Sequence, residues 1–204
     1  MLASVQAVIG PGGVDTIYFN GQPCHLLRGQ HRGRPVDAAV QLHQGTVVSI
    51  RFGAPLGGRP ITLLLNHRHN TTILGVPEVR TGDPEFDQLF LLNGFPVEVL
   101  RELMDPSTRD WLLARYRTAD PPLGTRDGAL TLGVPLRMKD GLWSLPGSRP
   151  LPPPEVADWL DALVAMADRL ASSFDGLRDA MARAQGPAAA DQWVRYHVDA
   201  MVAR

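Results

Sequence analysis

Short apolar runs follow one another closely over the first 66 residues, and this spacing constrains the fold more than any other feature of the sequence. The runs are rich in Val, Ile and Thr, and residues such as Gly, Pro and Asn separate them, a pattern typical of β-strands. Two parallel strands need about a dozen residues or more between them for the crossover, and these connections are shorter. The pattern therefore predicts an antiparallel meander with strands at Ser4–Ile9, Val14–Phe19, Cys24–Arg28, Val36–Leu42, Thr46–Phe52 and Ile61–Asn66.

Two capping signals predict helices in the middle of the chain. Asp83 and Asp105 each precede a proline at the first helical position, where no amide hydrogen is missed and the aspartate can accept from the amides that follow. Asp83 predicts one helical turn that gives way to the apolar run Leu89–Leu92, and Asp105 predicts a helix through Tyr116. Pro96–Met104 predicts a short helix between them.

The pattern becomes purely helical near the carboxyl terminus. Before that change, Ala129–Arg137 and Leu142–Leu145 predict a last hairpin. From Val156 to Met181 the apolar residues recur at steps of three, four and seven. These steps predict one helix of about 20 residues or more with a single apolar stripe. Asp191–Ala203 predicts a final short helix.

Strands early in the chain and helices late in it predict an α+β fold rather than alternating βαβ units. We predict an antiparallel, twisted sheet, built from the N-terminal meander plus the later hairpin and covered by helices from the middle and the C-terminal third. In this prediction residues 1–145 form the mixed domain, residues 146–154 a proline-rich connector, and residues 155–204 a helical segment that packs on the same core.

Composition excludes several classes of function. A formal net charge of −1 provides no overall field that would recruit nucleic acid or an anionic membrane. The single cysteine, Cys24, excludes an internal disulfide. No stretch approaches the roughly 18 consecutive apolar residues of a membrane span, and the opening segment lacks the basic start of a secretory signal. We therefore expect a cytoplasmic protein without a transmembrane segment.

The sharpest local signal is the run Thr81-Gly82-Asp83-Pro84-Glu85-Phe86-Asp87. Together with Leu103-Met104-Asp105-Pro106 and the turn at Asp140-Gly141-Leu142, it resembles a group of uncharacterised bacterial proteins that share a strand ending in a TGDxxFD motif. The resemblance covers roughly residues 15–175 and implies the fold of that group, for which no activity is established. Members often carry the domain after membrane helices; this chain begins without any, so we expect no membrane location to carry over.

Three carboxylates of this motif, Asp83, Glu85 and Asp87, have two interpretations. They form a cluster that would suit acid/base chemistry or a bound cation. Capping also explains them, because acidic residues stabilise the positive end of a helix. Phe86, at helical spacing from Leu89, is predicted to point into the core.

His67 and His69 are the best candidates for a metal site. Residues two apart on a strand point to the same face, so both imidazoles could share one ion. The polar residues that follow favour the alternative, a solvent-exposed loop. Neighbouring strands offer four residues as a third ligand, namely Cys24, His25, His31 and His43.

A basic segment over residues 28–34 is the candidate for binding an anion. Its glycines space Arg28, His31, Arg32 and Arg34 in a predicted loop between two strands, and arginine forks with exposed backbone amides hold phosphate or carboxylate. The spacing matches neither a P-loop nor a dinucleotide fingerprint, since both need a following helix. Solvated arginines in a hairpin loop are the alternative.

The short motifs of familiar enzyme classes, such as GxSxG, HExxH and CxxC, do not occur, and no particular cofactor is indicated. We therefore expect a non-catalytic binding or protein-interaction module, with a homodimer as its simplest form. Its predicted contact surface lies on the C-terminal helices, whose large side chains exceed what a thin layer must bury: Trp159, Trp193, Tyr196 and Met201. The alternative is an enzyme, or a small-molecule or anion binder, that uses residues 28–34 with His67 and His69. A carrier of lipid or other hydrophobic ligands would have no dedicated sequence mark.

Overall fold

One eight-stranded sheet forms the centre of the computed structural model, which describes residues 2–19, 22–43, 46–68, 76–117, 123–134, 137–139, 142–144 and 152–202. Its strands are β1 Val14–Phe19, β2 Gln22–His31, β3 Arg34–His43, β4 Thr46–Pro55, β5 Thr62–His67, β6 Phe90–Phe95, β7 Leu123–Arg126 and β8 Ala129–Gly133. They lie in the order β1-β2-β3-β4-β8-β7-β5-β6, and every pairing is antiparallel. The predicted meander is confirmed in β1 to β4. Its predicted last strand, Ile61–Asn66, corresponds to β5, which pairs with β6 and β7 rather than with β4, because β8 occupies the free side of β4.

Most of the described helices come from the middle and the end of the chain. They are α1 Leu2–Ile9, α2 Pro84–Leu89, α3 Val97–Leu103, α4 Pro106–Tyr116, α5 Pro153–Gln185 and α6 Pro187–Val202. Helix α5 contacts β2, β4 and β8, and α1 contacts β2 and β3. The predicted α+β class is therefore confirmed.

Alternate residues along the strands build the core. The pairing register aligns five buried side chains in one row across neighbouring strands: Leu27, Ala38, Phe52, Leu132 and Leu123. Directly opposite residues share a face of the sheet, so this row identifies the face that α1 and α5 cover. Apolar residues of α5 from Val156 to Phe174 belong to the same core cluster.

Both predicted helix caps are confirmed. Asp83 accepts hydrogen bonds from the amides of Glu85 and Phe86, and Asp105 accepts one from the amide of Thr108. These bonds satisfy amides that have no partner inside the helix. The caps fix where α2 and α4 begin.

The prediction of a strand at Ser4–Ile9 is wrong, because this segment forms α1. Its content of Val and Ile suggested a strand, but the buried residues Val5 and Ile9 are four apart and so lie on one side of a helix. That side packs against α5 and the first strands. Spacing therefore outweighs residue type at this position.

The later hairpin also differs from the prediction. Ala129–Arg137 is not one strand: β8 ends at Gly133 and pairs with β4 and β7. Strand β7 was missed, although Asp127 and Gly128 are a typical hairpin turn and both have positive φ. A separate two-stranded sheet consists of β9 Arg137–Lys139 and β10 Leu142–Ser144. The predicted turn residues 140–141 lie outside the described residues.

The C-terminal helices pack against one another. Helix α5 has 33 residues, and α6 returns along it, with Phe174 and Trp193 in ring contact at 5.0 Å between centroids. Gly186, with a φ of +92°, lies between them and ends α5. Most of the predicted connector, residues 146–151, lies outside the described residues, and α5 already begins at Pro153.

Candidate interaction surface

Strand β1 is an edge strand whose outer side has no partner among the described residues. Every residue from Pro11 to Tyr18 is exposed, so the helices do not cover this strand. Three of its apolar side chains are largely exposed: Val14 at 46%, Ile17 at 45% and Tyr18 at 74%. The sequence pattern predicts the position of β1, but it contains no signal that the outer side of this strand is open.

Two observations establish which backbone groups of β1 face outward. The amide of Arg28 donates to the carbonyl of Gly13, so these two residues form a hydrogen-bonded pair, and such pairs alternate along an antiparallel ladder. Tyr18 stands opposite Pro23, which has no amide hydrogen to give. The residues that direct N–H and C=O groups away from β2 are therefore Val14, Thr16 and Tyr18.

The two faces of β1 carry different side chains. Val14 stands opposite the buried Leu27, so Val14, Thr16 and Tyr18 share the face that the helices cover further into the sheet. Ile17 lies on the other face with Asp15. Asp15 is the single charged residue of β1, and it forms an ion pair with Arg28 of the neighbouring strand.

The opposite edge of the sheet is covered. The amide of Val79 donates to the carbonyl of Leu92 at 2.8 Å, and the amide of Gly94 donates to the carbonyl of Pro77 at 3.1 Å. All six residues of β6 are buried. The two edges of the sheet therefore differ, because one has a covering segment while the described residues leave the other open.

The predicted arginine loop is wrong in shape. Strand β2 continues through His31 and β3 starts at Arg34, so only Arg32 and Gly33 form the turn, with φ values of 49° and 76°. This is the geometry of a tight hairpin. Gly29, which suggested a loop, lies within β2, where a Cβ atom would come within 2.3 Å of the carbonyl oxygen of Ile9.

The basic residues of this hairpin face carboxylates of the same chain. Four contacts show this: Arg28 pairs with Asp15, His31 and Arg32 both donate to Asp161, at 2.5 and 2.6 Å, and Arg34 pairs with Asp168. The chain's own carboxylates thus stand where an external anion would bind. Sequence reasoning found the cations but not these partners.

The acidic partners form one stripe along α5. Asp161, Asp168 and Asp175 are seven residues apart, which is nearly two helical turns. Asp175 accepts two hydrogen bonds from Arg59, at 3.0 and 2.5 Å, and these bonds lower the pKa of its carboxyl group. The stripe holds α5 against the hairpin and against the β4–β5 connection.

Of the two histidines of the predicted metal site, the structure describes only His67. His67 is buried rather than in an exposed loop, and its Nε2 donates to the carbonyl of Tyr116 at 2.9 Å. His69 and the side chain of His43 lie outside the described residues. Burial raises the pKa of Cys24, which disfavours the thiolate that binds metal. Among the described residues no group of three potential ligands comes together.

The TGDxxFD motif forms a closed network of hydrogen bonds. Asp87 accepts from the amide and hydroxyl of Thr81, at 3.0 and 2.9 Å, and from the amide of Gly82 at 3.1 Å. Gly82 has a φ of +83°, and Phe86 is fully buried. Capping and packing therefore explain the motif residues, with Glu85 paired to Arg117 at the surface.

A depression of about 410 Å³ lies beside this motif and is lined by Arg68, Arg80, Gly82, Pro84, Asp87 and Gln88. Its two arginines bind groups of the same chain. Arg68 donates to the carbonyl of Asp87 at 2.8 Å and pairs with Glu78 at 2.9 Å, and Arg80 pairs with the same carboxylate at 2.6 Å. The depression thus holds basic groups that already have internal partners.

The predicted interface on the C-terminal helices is wrong for Trp159. This side chain is buried in the core between Trp111 and Tyr116, at centroid distances of 5.0 and 5.9 Å. Trp193 is half-buried against Phe174. Tyr196 is exposed, as the prediction required, and the side chain of Met201 lies outside the description.

His197 joins α6 to the sheet. Its buried ring stacks on Phe95, with centroids 5.5 Å apart, and its Nδ1 has no hydrogen-bond partner. Burial lowers the pKa of His197, while Glu98 of α3 opposes this shift. Protonation therefore favours the undocked state.

We expect the docking of α6 to weaken as the pH falls below about 6.5, the ordinary pKa of histidine. Below this pH the undocked state binds more protons than the docked state. The contribution of neutral His197 to the docking of α6 is therefore present above the ordinary pKa of histidine and is lost below it. Hydrogen exchange of the α6 amides measures the effect. His197→Phe keeps the ring contact and should abolish the pH dependence; an equal loss of protection in that variant would contradict the assignment.

Comparison with models of protein families, with curated proteins and with solved structures finds no match to this chain. The resemblance to the TGDxxFD group stays a prediction. Within the described residues, none of the helices combines the length and apolar character that crossing a membrane requires.

Proposed function

We propose that this chain is a non-catalytic protein-interaction module that binds an extended partner segment along the outer edge of β1. The observation that carries the proposal is the outward direction of the backbone groups of Val14, Thr16 and Tyr18 on a strand with three exposed apolar side chains. A strand added there would satisfy these groups, and its side chains would cover the apolar ones.

The composition of β1 supports this proposal. Proteins usually protect free edges with charges, prolines or bulges, since an unprotected edge pairs with other chains. Strand β1 contains no proline and one charge, Asp15, which Arg28 already pairs. The partner segment should be extended, with apolar residues at alternate positions that meet Val14 and Tyr18.

The other candidate surfaces have less support. The basic residues of the β2–β3 hairpin pair with carboxylates of α5 and β1, so they favour a structural role over anion binding. On the C-terminal helices, Tyr196 and Val198 are exposed, but Trp159 lies in the core. Among the described side chains, the edge of β1 therefore offers three exposed large apolar residues together with directional hydrogen bonds.

Selection from a displayed library of short random peptides tests the proposal. We expect the selected peptides to alternate apolar and polar residues, and we expect Thr16→Pro to weaken their binding about tenfold or more. Proline removes the outward amide hydrogen of Thr16 and costs no backbone hydrogen bond to β2, because Thr16 and His25 are not a backbone hydrogen-bonded pair. The contact of the Thr16 hydroxyl with Nδ1 of His25, at 3.3 Å, is lost with any residue that lacks the hydroxyl, the control Thr16→Val included. The loss of one such bond corresponds to about 1.5 kcal/mol.

Thr16→Val is the matched control, since it keeps the amide hydrogen and the branched side chain, and it should bind the peptides as the parent chain does. Tyr18→Lys provides a second test that leaves the backbone intact, and it should also reduce binding. The proposed function would be refuted if no peptide were enriched, or if Thr16→Pro and Tyr18→Lys both bound the peptides as strongly as the parent chain does.

A further inference from the structure

We infer that the segment bound by β1 is β1 of a second copy of this chain, so that two sheets join into one continuous antiparallel sheet. This inference rests on the proposed function, because it names the partner of the same edge. The pairing has a two-fold axis at Thr16, perpendicular to the sheet. Thr16 then stands opposite Thr16 of the second copy, and Val14 stands opposite Tyr18 of the second copy.

The hydrogen-bonding phase of β1 selects this register. A two-fold axis perpendicular to a sheet keeps each side chain on its own face, so only residues of equal parity can stand opposite each other. The outward residues are Val14, Thr16 and Tyr18, and pairing about Thr16 brings all three opposite outward residues of the copy. Each of these pairs then exchanges two backbone hydrogen bonds.

Charge excludes one neighbouring register and contact area disfavours the other. A shift of two residues in one direction would bring the two Asp15 carboxylates directly opposite each other, which like charges oppose. A shift in the other direction leaves Val14 without an opposite strand residue. In the register about Thr16, Asp15 stands opposite Ile17 of the copy and keeps its ion pair with Arg28.

The side-chain pairs of this register are complementary. Val14 contacts Tyr18 of the second copy on the helix-covered face of the sheet, at the edge where the helices do not reach. Aromatic residues pair well with β-branched ones across strands. Residues 11–18 are all exposed, so no described part of the chain has to move before a second copy approaches. The edge of β1 is therefore suited to pair with the same edge of a second copy.

A pair of double variants tests the register. In V14K/Y18K each lysine at position 14 would face a lysine at position 18 of the copy, and we expect a dissociation constant at least tenfold weaker than in V14K/Y18E. In V14K/Y18E the facing charges are opposite. Both variants change the same two exposed positions, so their folded chains should be equally stable, which thermal unfolding verifies. Sedimentation over a wide range of concentrations measures the dimer of each variant and of the parent chain.

The outcomes separate this inference from the proposed function. A dimeric parent chain, with V14K/Y18E dimeric and V14K/Y18K dissociated, supports self-pairing. A parent chain that binds the selected peptides but stays monomeric refutes self-pairing and leaves the proposed function standing. Equal dimerisation of the two double variants refutes it as well, because the contact then lies elsewhere, and a monomer that binds no peptide refutes both.

Discussion

Replacing Gly94 with alanine should lower the free energy of unfolding by between about 2 and 6 kcal/mol. Gly94 has a φ of +152°, which side chains rarely adopt, and a Cβ atom there would lie 2.0 Å from the carbonyl oxygen of Thr62 and 2.6 Å from Leu100. Backbone strain and overpacking each contribute roughly 1–3 kcal/mol. Chemical denaturation measures the change.

Gly176→Ala is the matched control for this substitution. Gly176 lies on the exposed side of α5, and nothing lies within 4 Å of the added methyl group. Alanine in a helix interior is more stable than glycine by roughly 0.5–1 kcal/mol, so this variant should gain stability. Two glycine-to-alanine changes with opposite signs would support the close packing of β6; a loss below about 0.5 kcal/mol for Gly94→Ala would contradict it.

Replacing Tyr116 with alanine should cost about 3–5 kcal/mol, because it removes a large buried ring. The ring of Tyr116 contacts Trp159, and its hydroxyl donates to the carbonyl of Gly133 at 2.5 Å. Burial raises the pKa of this hydroxyl well above its usual value, so it stays a donor at neutral pH. Tyr116→Phe keeps the ring and should cost about 1–3 kcal/mol, because it leaves the carbonyl of Gly133 unpaired.

Tyr196→Ala is the control for Tyr116. Tyr196 is 68% exposed, and its loss should change the free energy of unfolding by less than about 0.5 kcal/mol. The same substitution, tyrosine to alanine, should therefore lower the free energy of unfolding much more at position 116 than at position 196. Similar losses at both positions would show that Tyr116 is not the residue that joins α4 to the sheet and α5.

Local signals account for the part of the fold that could be predicted. Asp83 and Asp105 each act within three residues of themselves, so one sequence suffices to recognise their caps. The closely spaced strands β1 to β4 each pair with the next strand along the chain, because their connections are too short for a crossover. The strand predicted at Ser4–Ile9 is wrong because its Val and Ile content indicates a strand, whereas the spacing of Val5 and Ile9 is that of a helix.

The partners of the predicted site residues could not be found in this way. His31 and Asp161 are 130 residues apart, and no local pattern connects two such positions. The stripe of Asp161, Asp168 and Asp175 is visible as a seven-residue repeat, which indicates one acidic side of α5. The cations that face this side depend on how the helix crosses the sheet, and this is a property of the packed chain.

The open edge of β1 likewise could not be predicted from local signals. A meander predicts that its first strand has one neighbour, β2, and leaves undecided whether a later segment covers the other side. Residues 77–79 do this for β6, with bonds to Leu92 and Gly94. No described segment does it for β1, and this difference between the two edges is the basis of the proposed function.

Residue-by-residue hydrogen exchange along β1, at high and at low protein concentration, tests this account most directly. The amides of Asp15 and Ile17 point towards β2 and should be protected at both concentrations. The amides of Val14, Thr16 and Tyr18 should be protected at high concentration and exchange freely on dilution. Free exchange of these three amides at every concentration would show that the edge of β1 binds no second copy.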